Sequence, residues 1–168
     1  GLPTAKRHEA DTWPHRDPGA VLVTGAASGL GLRIAETFGG RGRPVIALDL
    51  GFDQSARARL EKATRGRVHF EEVDVRDGSA VTASVSRGVD ALGPLTNAIN
   101  CAGVQHADVF QELSEDAFRR VVDINLIGSR NVAAAALDHL GRGGHLVLIA
   151  SMAVFTTLFV HASSGAND

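Results

Sequence analysis

Five short apolar runs recur along the chain, and amphipathic stretches of helical length separate them. The runs are AVLVT (20–24), PVIAL (44–48), VHFEEVDV (68–75), NAINCA (97–102) and HLVLIAS (145–151). Three are nearly continuous in Val, Ile, Leu and Ala, which is how strands covered on both faces read. The intervening stretches, about 30–39, 54–64, 78–92 and 114–140, carry helical spacing. Asp53 or Ser55, Asp77 or Ser79, and Ser114 stand where N-caps belong. Strand–helix alternation of this kind predicts an α/β fold: a doubly wound parallel sheet with right-handed crossovers, sandwiched as three α/β/α layers.

A chain of 168 residues is one domain by length. The stretch 1–18 has no period and carries three prolines; it reads as an N-terminal arm, with Trp13 placed to dock on the body formed by 19–168. A formal net charge of −2 lacks the basic footprint of a nucleic-acid binder. No apolar run has the length of a membrane span, and residues 1–18 hold no signal-peptide core. Cys101 is the sole cysteine, so an internal disulfide is excluded and a reducing, cytoplasmic setting is expected. Cys101 itself reads as a small core residue. The seven histidines show no ligand spacing, so no metal site is expected. The chain starts on Gly1 rather than Met, which points to processing or a fragment.

The first apolar run leads into TGAASGLG, Thr24 to Gly31, and a helical pattern begins at once. Glycines at 25, 29 and 31 permit a tight turn and let backbone approach a ligand with no Cβ between them. A helix opening there offers free N–H groups and the positive end of its dipole to a pyrophosphate. Asp49 ends the second run, 18 residues past Gly31. A carboxylate there accepts from a ribose 2′-hydroxyl and repels a 2′-phosphate, so NAD is expected over NADP.

The spacing Gly25-x-x-x-Gly29-x-Gly31 resembles the TGxxxGxG of the short-chain dehydrogenase/reductase family. Other stretches resemble that family in the same order: VDVRD (73–77), NCAG (100–103), DINLIG (123–128) and GGHLVLIASMA (143–153). The resemblance covers roughly 19–160 and implies a Rossmann-type fold that binds NAD and transfers hydride between nicotinamide and an alcohol or ketone. It implies cofactor contacts from Gly25, Ser28, Gly29, Leu30, Gly31, Asp49, Leu50, Asp74, Val75, Asn100, Ala102 and Gly103, with Asp74 and Val75 at the adenine. It implies Ser151 and Asn125 as catalytic residues. Asn100 has a second reading, bonding loop backbone across the sheet, and Asn125 needs a partner because Asn is unfavourable inside a helix. Family members commonly pair through helices corresponding to 114–140; the same Ala-rich face could equally pack on its own sheet.

The family's Tyr-x-x-x-Lys motif would fall near position 164, where this chain reads SGAND, and the chain contains no Tyr. Ser164 and Asp168 supply neither a proton donor of suitable pKa nor a cation. His161 is the nearby group that titrates in range. The resemblance therefore implies a chain truncated relative to the family, lacking its last strands and helices. The rival readings are an inactive NAD-binding fragment or interaction module, and a frameshift or expression scar over the last residues. An uncovered fifth strand and AVFTTLFV (153–160) would make such a chain prone to self-association. The substrate is not legible.

Overall fold

A computed structural model of the chain describes residues 19–105 and 114–150. Five strands, β1 (Ala20–Thr24), β2 (Val45–Asp49), β3 (Val68–Glu72), β4 (Leu95–Asn100) and β5 (Leu140–Leu148), form one sheet in the order β3-β2-β1-β4-β5. Every neighbouring pair is parallel. Helices α1 (Gly29–Gly40), α2 (Gln54–Thr64), α3 (Gly78–Leu92), α4 (Glu115–Val122) and α5 (Ser129–Leu137) cover it. The arm at 1–18, Trp13, Ser151, His161, Ser164 and Asp168 lie outside the described residues.

The apolar runs are continuous because each strand serves two cores. Val21 and Val23 face α1 and α2, packing with Leu32, Ala35, Ala56 and Leu60. Ala20 and Leu22 face the other way, toward Val81 and Val85 of α3 and Val132 and Ala136 of α5. Every residue of β1 is buried. Strand order reverses direction between β1 and β4, so their carboxyl ends flank the crevice where ligands of such sheets bind. Thr24 pairs with Leu48 on one side and Asn100 on the other, which brings those three strand ends level.

Three helices begin as the cap residues require. Asp53 accepts from the Ala56 amide at 2.7 Å, Asp77 from Ser79 and Ala80, and Ser114 from Ala117. Asp53 and Asp77, rather than Ser55 and Ser79, are the caps. The expected helix over 114–140 differs in two ways. It passes through a π-helical turn, Asp123–Gly128, and it stops at Leu137. Strand β5 starts at Leu140, five residues earlier than the apolar run suggests, because Leu140 pairs with Leu95 before Gly141–Gly144 bulge out of register. The third run ends as strand at Glu72; Val73 still donates to the Asp49 carbonyl, and the chain then turns at Asp74. β3 and β5 are the edges of the described sheet, with Val147 and Leu148 of β5 exposed. Among the described residues no helix is long and apolar enough to cross a membrane.

Edge strand β3 is tied to α3 by charge. The Arg87 guanidinium forks onto the buried Glu71 carboxylate and holds its carboxyl down at about 2, overcoming burial, which pushes it up; His69 and Ser84 assist. A carboxylate depressed in the folded state stabilises fully above its usual value of 4.5, and that contribution is lost as pH falls toward about 2. Glu71→Gln is therefore expected to be less stable than the parent at pH 7. The difference should shrink steadily between about pH 4.5 and 2, as measured by urea unfolding at stepped pH.

Candidate cofactor site

The turn from β1 into α1 is set by close backbone contact. Gly25 sits at φ +65°, and a Cβ there would meet the Cys101 and Ala102 backbone at 3.0 Å. A Cβ on Gly31 would stand 2.1 Å from the Gly25 carbonyl oxygen, so the first turn of α1 can rest on the loop only without a side chain. Ser28 is the N-cap, yet its side chain makes no capping bond and the first turn holds no acid. The positive end of α1 thus faces a cleft of about 340 Å³ with no counter-charge of its own.

Two carboxylates line the same cleft, Asp49 and Asp74. Asp49 accepts the Ala27 amide at Oδ2 (2.8 Å) and its neighbour Leu50 at Oδ1 (2.7 Å). Asp74 is gripped by Arg76, whose backbone amide bonds Oδ1 (3.0 Å) and whose Nε and Nη2 reach Oδ2 (2.9 and 2.5 Å). The Arg76 side chain holds the Asp74 carboxyl below its usual range, against the opposing effect of burial, so Asp74 is an anion at neutral pH. Leu30 and Leu50 are more than half exposed at the cleft. Cys101 also lines it, and burial pushes its thiol up, away from a reactive thiolate.

A buried polar chain beneath the cleft joins the strand ends. Thr24 Oγ1 donates to Asn100 Oδ1 at 2.5 Å and accepts the amides of Cys101 (3.2 Å) and Ala102 (3.0 Å). Asn100 Nδ2 donates to Ser129 Oγ, which donates to the Asn125 carbonyl inside the π turn. The Asn125 side chain clasps Val104 at both ends, Oδ1 accepting its amide and Nδ2 donating to its carbonyl, each at 2.9 Å. Asn131, in the first turn of α5, donates to the carbonyls of Val75 and Arg76.

Of the residues singled out from sequence, Gly25, Ser28, Gly29, Leu30, Gly31, Asp49, Leu50, Asp74, Val75, Ala102 and Gly103 all line the cleft. Asn100 does not; it is buried, with both ends of its amide bonded within the protein. Asn125 is not a lining residue either, and Ser151 lies outside the described residues. Sequence reasoning assigned no role to Arg76, Arg120 or Ser129. Arg76 was findable, two residues from Asp74; Ser129 and Arg120 gave no local signal.

The profile of the family described as short chain dehydrogenase matches residues 19–166. The chain belongs to that family. An oxidoreductase, UcpA, of Salmonella typhimurium is 34% identical over 135 residues, which are 79% of this chain and 51% of UcpA. A short chain dehydrogenase from Mycobacterium paratuberculosis, solved bound to NAD, superposes with a TM-score of 0.73 at 29% identity, covering 89% of this chain and 64% of that one. Carveol dehydrogenase from Mycobacterium avium, solved in complex with NAD, gives 0.70 at 26% identity, covering 76% and 52%. The chain spans about half the length of the curated relatives it matches.

Thr24 carries most of the polar chain, so Thr24→Val, near in shape, strands two amides and one Asn oxygen. A loss of about 1–3 kcal/mol in chemical unfolding is expected, with Thr24→Ser recovering most of it.

Proposed function

We propose that the chain binds NAD(H) in the cleft over β1 and β4 and supplies that site to hydride transfer between the cofactor and a small alcohol or ketone. The observation that carries this reading is the glycine-walled turn running into the uncapped start of α1, with the Asp49 carboxylate lining the same cleft. The donor set fits a dinucleotide. The N–H groups at the start of α1 bind phosphate oxygens, and the absent Cβ atoms leave room for backbone to approach them. A carboxylate offers about four acceptor positions. Backbone amides take one on each oxygen of Asp49. One remains on each oxygen, matching the 2′- and 3′-hydroxyls of a ribose. Asp74 is kept ionised to accept from an adenine amine, and Leu50 presents an apolar flank.

Bound NAD supplies the nicotinamide C4 that takes or gives the hydride. The resemblance assigns Ser151 to the substrate oxygen and Asn125 to the catalytic group. Relatives solved with NAD support the cofactor. A cytoplasmic setting and pairing of copies through the 115–137 helix, where Phe118, Leu126 and Leu137 are exposed, belong to the same reading. A second reading, NAD binding without hydride transfer, is favoured by Ser164 and Asp168 standing where the resemblance would put Tyr and Lys.

Calorimetric titration is expected to give NADH an affinity at least about tenfold above NADPH, from repulsion between Asp49 and the 2′-phosphate. Equal affinity would remove Asp49 from cofactor choice. Turnover of secondary alcohols or ketones, followed by NADH absorbance and lost in Ser151→Ala, would establish hydride transfer. NADH binding without turnover would establish the second reading.

A further inference from the structure

We infer that Asp49 is the anchor of the phosphate loop as well as a partner for the adenosine ribose, so one carboxylate couples cofactor choice to the shape of the phosphate site. The inference rests on the cofactor reading above for its ligand, but its structural half stands on the loop alone. Ala27 lies 22 residues from Asp49 in sequence, and its amide points into Asp49 Oδ2 at 2.8 Å. The preceding amide, that of Ala26, donates to the Leu48 carbonyl at 3.2 Å. Two successive loop amides are therefore tied to two successive acceptors at the end of β2. Their orientation sets the path from Gly25, at φ +65°, into α1. Ser28, next along the loop, makes no side-chain capping bond that would hold the Ala27 amide's end of it instead. The second Asp49 oxygen is held by the Leu50 amide, which fixes the plane of the carboxylate and aims Oδ2 at the loop.

This changes what an Asp49 substitution does. A residue acting only through the ribose would, when removed, leave the loop intact and relieve repulsion of the NADP phosphate. An anchor, when removed, frees the Ala27 amide and loosens the phosphate site for every dinucleotide. In Asp49→Ala the gap between NADH and NADPH should then close through loss of NADH binding, with no gain for NADPH.

The test compares the parent, Asp49→Ala and Asp49→Asn. Amide hydrogen exchange without ligand is expected to rise about tenfold at Ala27 in Asp49→Ala, with β1 and β4 amides unchanged. Asp49→Asn keeps one acceptor oxygen and should fall between. Binding is then measured with NADH, NADPH and an NADH analogue whose adenosine ribose lacks both hydroxyls. The analogue is expected to bind about fivefold or more weakly to Asp49→Ala than to the parent, although it offers Asp49 no hydroxyl. Unchanged exchange at Ala27, or equal analogue affinity in parent and variant, would overturn the anchor. If the parent binds no dinucleotide, the cofactor reading falls, while exchange at Ala27 still decides the anchor.

Discussion

The contact between Gly31 and the Gly25 carbonyl is the constraint on which the site depends. A Cβ at Gly31 would lie 2.1 Å from that oxygen, far inside any allowed contact. Holding the helix start this close to the end of β1 does two things at once. It packs α1 on the sheet, with Leu32 and Ala35 buried against Val21, Val23 and Val45. It also leaves the first helical amides facing the crevice at the point where strand order reverses. A larger residue would push α1 away from the sheet and spoil both the core and the cleft.

The second requirement is a rigid floor. The carboxyl ends of β1 and β4 carry Thr24 and Asn100, both fully or almost fully buried. Buried polar groups are costly unless bonded, and these satisfy one another and pass the chain on to Ser129 and the π turn. Among the described residues no buried side-chain polar atom lacks a partner. The network thus links two strand ends to the helix that brings Asn125 against Val104. The π turn has a structural counterpart here: Ser129 bonds the Asn125 carbonyl while Asn125 itself reaches across to the loop after β4.

Charge is distributed with similar economy. Asp49 and Asp74 line one cleft, and each is already engaged, the first by backbone amides and the second by Arg76. Arg76 holds the Asp74 carboxyl below its usual range. Such carboxylates can recognise hydroxyl and amine donors while remaining in fixed positions, which is the geometry selective binding needs.

Much was legible in the sequence because its determinants are local. Apolar runs, cap residues and glycine spacing depend on neighbours along the chain, so they marked five strands, caps at Asp53 or Ser55, Asp77 or Ser79, and Ser114, and eleven residues that line the cleft. Tertiary structure decided the rest. Asn100 occupies the right strand end, but only the position of Ser129, 29 residues away, turns its side chain into the floor rather than the cleft. The early start of β5 depends on Leu140 finding Leu95, a pairing no window of the sequence contains. The bond from the Ala27 amide to Asp49 depends on the loop folding back across β2, which brings the two within 2.8 Å. Spacing along a chain predicts what a residue can offer; which partner takes it is set by the surfaces that folding brings together.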